Sequence, residues 1–265
     1  TDALRVTWNY QLFRTDISDI VEEASADLKT EVGRSDVSVT GIGLSWDSRD
    51  NRFDPTTGWL VFGSADLAGG LLAGDRDFYR LQGGASYYWP HGTRFVLESR
   101  LHTGLVAAYS DSSAVPIFER FFGGGANTVR GFRERRIGPR DPRSNDPIGG
   151  EATFMGGVEE VATLMKDERG KPILKGTVFF DVGDVWQKVG EYGESLKAGA
   201  GAGVRVTTPI GPVRLDVGFP ISRLEDEKRK PRLHLRRTRT NRRCRRTLRS
   251  YKTRRSINID VKVCF

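Results

Sequence analysis

The chain has 265 residues, 37% of them hydrophobic, and a formal net charge of +8. That length suits one domain, and the lack of any apolar run of about 18 residues excludes a bilayer-crossing helix, although not a membrane β-barrel, whose strands hide apolar residues at every second position. The charge is uneven: residues 228–255 carry 15 Lys and Arg and no Asp or Glu, and without them the body is acidic.

Along the chain the pattern has period two. Near 3–13, Leu4, Val6, Trp8, Tyr10 and Leu12 alternate with Arg5, Thr7, Asn9 and Gln11. Near 37–46 the apolar phase switches from Val37 and Val39 to Ile42, Leu44 and Trp46, which predicts a bulge near Gly41. Strands follow at 59–68 and 77–90, then at 94–107, where Phe95, Leu97, Leu101 and Leu105 oppose Glu98, Arg100 and His102. That last run meets the roughly 9 to 11 residues a membrane strand needs. After a glycine-rich stretch come 150–163, 173–187, 196–208 and 213–221. In the first of the last two, Ala and Val interleave with Gly199, Gly201, Gly203 and Arg205; in the second, Val213, Leu215, Val217 and Phe219 alternate with Arg214, Asp216 and Gly218.

About nine strands result, several longer than the five or six residues usual in a soluble sandwich. Trp46, Trp59, Tyr88, Trp89 and Trp186 fall toward strand ends, where an interfacial girdle would place them and where a soluble sandwich would use them to cap its core. The pattern favours an all-β fold, a transmembrane antiparallel β-barrel, over a soluble barrel or sandwich. Hydrocarbon tolerates only closed pairing, so nine strands with two free edges require further strands or a partner. The chain opens directly on a strand with no charged and apolar leader, as expected of a piece of something longer.

Several motifs resemble those of the BamA and TamA type of outer-membrane assembly barrels. Residues 46–59, WDSRDNRFDPTTGW, look like that family's strand and turn, and FFGGGANTVRGF within Phe121 to Pro139 is similar to its long sixth extracellular loop. Gly149-Gly150 followed by Glu159, then FFDVGDVW at 179–186 and AGAGVRVTTPIGPVRLDVGFPI at 200–221, resemble its last strands in the right order. The resemblance implies a barrel of roughly sixteen strands, of which this chain supplies about strands seven to fifteen, the remainder and the periplasmic POTRA domains lying outside it. It further implies residence in the bacterial outer membrane, contact with its lipid, and assembly of unfolded β-barrel clients with accessory proteins that meet the periplasmic domains. A TamA-like or polypeptide-secreting barrel is the alternative within the membrane class.

By motif matching, the loop arginine that folds into the lumen of family members is Arg130, and its acidic partners on the inner wall are Glu159 and Asp181. Periodicity gives the facing independently: Glu159 shares a phase with Glu151 and Thr153, and Asp181 with Thr177 and Gly183, opposite Phe154, Val158, Phe180 and Val182. Val129, Gly131 and Phe132 flank the arginine, Ile137, Gly138 and Pro139 close the motif, Gly131 supplying a positive φ or close backbone approach and Phe132 an apolar anchor. Strict alternation aims Glu160 at lipid, which places it near a strand end.

Other constellations carry little. GGGAN lacks the Gly-Lys-Ser/Thr of a phosphate-binding loop, His91, His102 and His234 lack metal-ligand spacing, and Asp47, Asp50 and Asp54 are explained by turn chemistry more simply than by a cation. No nucleophile, base and orienter set stands out, so neither an enzyme nor a cofactor or metal is expected. The composition divides the chain into a barrel part, 1–224, and a basic tail, 225–265, which holds both cysteines, Cys244 and Cys264. Such a cationic block repels itself and is expected to be disordered. Its abrupt onset reads as a shifted frame in GC-rich DNA, ahead of a nucleic-acid or anionic-lipid arm, since no aromatic interleaving suits base stacking. Together with a soluble all-β body, a nucleic-acid-binding tail is the alternative of another class. The last nine residues, with Ile257, Ile259, Val261 and Val263 alternating before Phe265, resemble the terminal-aromatic strand of outer-membrane proteins.

Overall fold

A computed structural model of the chain describes residues 3–18, 25–110, 112–208, 211–224, 230–237 and 256–264. The strands are β1 (Ala3–Ile17), β2 (Gly33–Asp47), β3 (Gly58–Ala68), β4 (Phe78–His91), β5 (Phe95–Ala108), β6 (Ala152–Lys166), β7 (Pro172–Trp186), β8 (Lys197–Thr208), β9 (Gly211–Pro220), β10 (Arg232–Arg237) and β11 (Ser256–Cys264), with one short helix, α1 (Ala26–Thr30). All pair antiparallel in one open sheet, in the order β10-β9-β8-β7-β6-β5-β4-β3-β2-β1-β11. The connections after β1, β3, β5, β7 and β9 share one end of the sheet, here the loop side; those after β2, β4, β6 and β8 share the other, the turn side.

Alternation sorts the two faces. Leu4, Trp8, Ile42, Leu44, Leu81, Val178, Phe180 and Phe219 are exposed on the outer face, while Arg80, Thr153, Glu159, Lys175, Asp181 and Asp216 are buried on the inner one. A sheet with apolar residues outward and charges inward inverts the soluble arrangement, and an apolar face of that extent belongs against hydrocarbon rather than water. The soluble alternative fails on this point.

What fills the concave side is the connection between β5 and β6. Its first part carries Val115 and Phe118 onto Val37, Ala68, Phe78 and Val106, which point inward from four strands. This explains the phase switch in β2, for which a bulge was expected near Gly41. The register against both β1 and β3 runs without a break through Thr40, Gly41 and Ile42. Val37 and Val39 are apolar because the loop covers the inner face there; Ile42, Leu44 and Trp46 are apolar because they face outward.

The basic segment also departs from expectation. Beyond residue 224, where the composition break set the boundary, Arg232–Arg237 adds β10 to the edge of β9, Arg232 opposite Gly218 and Arg237 opposite Val213. Leu233 and Leu235 keep the outward apolar phase, so local alternation and an available strand edge outweigh the repulsion of neighbouring cations. The segment from Ser256 pairs with β1 at the opposite edge instead of following β9. Residues 225–229, 238–255 and Phe265 of the expected tail lie outside the described residues.

Val37→Ala should lower the unfolding free energy by about 2 kcal/mol, since it opens a cavity under the loop, whereas Leu44→Ala, on the outer face, should cost less than half of that. Urea titration in a fixed detergent, following tryptophan fluorescence, measures both.

Candidate functional site

The second part of the β5–β6 connection turns back at Gly123–Gly125 and brings Val129 to Pro139 against the inner faces of β6 to β9. Val129, Phe132 and Ile137 bury against Met155 of β6 and Val185 of β7. Gly138 lies over Val185, and Pro139 accepts a hydrogen bond from Ile148 N that closes the loop base. Arg120 reaches Asp27 of α1, and Asp141 accepts from Ala26 N at 2.9 Å, so the connection between β1 and β2 is tied to the same loop.

Arg130 is 1% exposed. Its Nε and Nη2 donate to the two oxygens of Asp181 at 2.6 and 3.0 Å, and its backbone N–H donates to the same carboxylate at 3.1 Å. Nη1 donates to Glu159 at 2.9 Å and to Asp216 at 3.2 Å. The guanidinium plane lies over the Phe179 ring, 3.4 Å from its centroid. Burial opposes the charge on Arg130, but the hydrogen bonds to Asp181 and the fields of Asp181, Glu159 and Asp216 outweigh it and hold the pKa above the ordinary arginine value.

The structure thus brings Arg130, Glu159 and Asp181 together, with both carboxylates on the buried face while Val158 and Phe180 beside them are exposed. It adds groups that the sequence reading did not name as partners. Arg214 donates to Glu159 at 2.8 Å, Arg205 bridges Glu159 and Glu98, and Arg100 donates to Asp181 at 2.6 Å. Four guanidinium groups therefore face four carboxylates, Glu98, Glu159, Asp181 and Asp216, at the inner wall. A cluster balanced in this way resolves the cost of placing charge in a poorly solvated lumen. Each added residue was visible as a polar position of its strand; the cross-strand register that groups them is not contained in one strand's pattern.

Backbone approach explains the glycines. Gly131, at φ 97°, sits so that a Cβ would lie 2.7 Å from the Phe219 carbonyl carbon. On the wall, a Cβ at Gly199 would stand 2.0 Å from the Arg130 carbonyl oxygen, and one at Gly218 2.5 Å from Gly131 N. The Gly-Ala alternation of β8 leaves its inner face bare, and the loop backbone lies directly on it. Gly131 N also donates to Nε2 of His234 in β10 at 3.0 Å, a contact no spacing rule for histidine would find.

The acidic turn after β2 is used internally. Asp47 takes the Arg49 fork at 2.8 and 3.0 Å, Asp50 accepts from Thr56 N and Thr57 N, and Asp54 pairs with Lys175 of β7. Glu160 lies within β6 rather than at its end, and it is paired with His91.

Comparison with known proteins gives a consistent result. The model of the Omp85 superfamily domain matches residues 1–237. The chain is 31% identical over 223 residues to the outer membrane protein assembly factor BamA of Nitratidesulfovibrio vulgaris, covering 83% of this chain and 28% of that protein. It is 30% identical over 227 residues to BamA of Neorickettsia risticii, covering 82% and 29%. The chain therefore spans less than a third of the length of these relatives. In fold it is similar to the crystal structure of BamA from Haemophilus ducreyi lacking POTRA domains 1-3, with a TM-score of 0.65 and 18% identity over 86% of this chain and 43% of that one.

Arg130→Ala should destabilise the sheet by about 3 to 5 kcal/mol, because it leaves Asp181 and Glu159 buried with an excess of negative charge, and Arg130→Lys should recover only part, lacking the fork that spans Asp181. Heat-modifiable mobility and denaturant midpoints read both. Gly199→Val should lift the loop from the wall without removing any charge. The expected sign is faster tryptic cleavage at the exposed Arg133 and Arg135, while cleavage at Arg169 in the β6–β7 turn stays unchanged.

Proposed function

The chain belongs to the Omp85 superfamily, and from that premise we propose that it is the C-terminal wall of a BamA-like factor that folds and inserts β-barrel proteins into the bacterial outer membrane. The observation that carries the reading is the loop of residues 121–139, seated on the inner wall through Arg130. In this reading Arg130, Glu159 and Asp181 form a pin, Val129, Gly131, Phe132, Ile137, Gly138 and Pro139 shape the loop around it, and the pinned loop braces the last strands from within.

The action is templating rather than covalent catalysis, and no cofactor takes part. A strand edge offers unpaired N–H and C=O groups to an incoming client strand, and β-augmentation at such an edge supplies main-chain hydrogen bonds without regard to side-chain sequence. The edge near the loop here is β10. Partners are then outer-membrane lipid around the apolar face, unfolded β-barrel clients at the edge, and accessory proteins recruited by periplasmic domains outside this chain. We assign residues 1–237 to the barrel, carrying the boundary past the composition break at 224, and treat the basic residues 238–255 as a separate segment ahead of β11. The names of the curated relatives favour a BamA-like factor over a TamA-like or polypeptide-secreting barrel.

The test is a chimaera in which residues 1–237 replace the matched segment of the Nitratidesulfovibrio vulgaris protein, expressed in cells depleted of their own assembly factor. Restored amounts of heat-modifiable outer-membrane porins are expected, with loss on Arg130→Ala. A chimaera that reaches the outer membrane in folded form yet restores no porin assembly would refute the reading.

A further inference from the structure

Glu160 follows Glu159 in β6, so alternation turns it to the outer face, where its register partners are Leu97 of β5 and Val178 of β7. Its Oε2 is hydrogen-bonded to Nε2 of His91, at the end of β4, at 2.9 Å. His91 lies parallel to Phe95, ring centroids 5.7 Å apart with 11° between planes, and beside Trp89 at 5.6 Å. The neighbouring β4–β5 hairpin ends at this level, His91 opposite Phe95, while β6 and β7 run on toward the turn side. Oε1 of Glu160 is buried and has no hydrogen-bond partner among the described residues, while the side chain as a whole keeps 29% exposure. A carboxylate so placed on an apolar face is costly unless a cation from outside the chain meets the part of it that stays exposed.

An apolar groove of about 490 Å³ opens on the same face, one step toward the loop side. Trp59 and Tyr87, stacked at 4.2 Å, form one wall; Val158 and Phe180 form the other; Ala85 and Ser99 keep the floor low between them. Ser99 pairs with Val158 and Leu97 with Glu160, so the groove floor and the carboxylate are two residues apart along both strands. An apolar groove with a carboxylate two residues beyond it along β5 and β6, on a face turned to hydrocarbon, has the polarity of one amphiphile: a chain, then a cationic head.

We propose that this is a binding site for a single phospholipid with a primary ammonium headgroup. Its acyl chain occupies the groove, its ammonium meets the exposed part of the Glu160 side chain at its carboxylate, and the Trp89 face stabilises the same cation. The carboxylate selects against anionic headgroups, which bring it no donor cation. The site rests on the outer face being lipid-facing and is independent of the assembly activity.

The full chain, refolded in mild detergent micelles that contain equal phosphatidylethanolamine and phosphatidylglycerol with matched acyl chains, is analysed by native mass spectrometry, and the lipids that stay bound are counted. Retention of the ethanolamine lipid about tenfold over the glycerol lipid is expected, falling to parity in Glu160→Gln. Ser99→Trp, which fills the groove floor, should lower retention of the ethanolamine lipid, and Glu168→Gln in the β6–β7 turn should leave the ratio unchanged. Equal retention by the unsubstituted chain, or a preference that survives Glu160→Gln, overturns the site. If Glu160→Gln fails to fold, the ratio in the unsubstituted chain and the Ser99→Trp arm still decide. A chain that holds the expected ratio but supports no client assembly strikes only at the assembly reading.

Discussion

A buried guanidinium must be met by carboxylates held in place before it arrives, and much of the architecture serves that requirement. Arg130 is almost fully enclosed, its fork is taken by Asp181, and Glu159 and Asp216 share its remaining terminal nitrogen. Three strands supply those oxygens, so the loop can be seated only on a wall whose register is already set. Arg100, Arg205 and Arg214 keep the same carboxylates from carrying unbalanced charge. A lone pair in this place would be a weak source of stability; a balanced cluster in fixed geometry is a means of specifying one position for the loop.

Around that contact the loop does for the barrel what a second layer does for a soluble sheet. It brings apolar residues to the concave face at two places, Val115 over β2 to β5 and Val129, Phe132 and Ile137 over β6 and β7. Beside them the wall carries the charged cluster and the Phe179 ring under Arg130, and it is bare along the glycines of β8. Bare wall is as necessary as charged wall: at Gly199 and Gly218 the loop backbone occupies space that any side chain would claim. The alternation of small residues in β8 therefore has two causes at once, an apolar outer face and an inner surface that must be approached closely.

Much of this was legible in the sequence, because strand existence and facing follow from a local period. The nine strands, the inward direction of Glu159 and Asp181, and the anchoring of Phe132 needed only alternation and the loop motif. What local pattern could not supply was anything that depends on two distant segments meeting. The phase switch at Val37 and Val39 resembles a bulge until the loop that covers those residues is in place. Asp216, Arg214 and Arg205 read as polar positions among many until the register of β7, β8 and β9 aligns them with Glu159. The strand at Arg232–Arg237 was masked by the charge of its surroundings, which outweighed the two leucines that mark its outward face. His234 had no spacing to single it out, since its partner is a backbone N–H more than a hundred residues away.

That last contact ties the rim of the sheet to its interior. β10 is held to the wall along β9 and, through His234, to the backbone of Gly131 at the tip of the buried loop. Two such elements, each a ligand of the other, obey reciprocity: whatever free energy the seated loop lends to the attachment of the last strand, the attached strand returns to the seating of the loop. The interior can in this way sense whether its own border is occupied, and a change at the border is transmitted inward without any effector molecule.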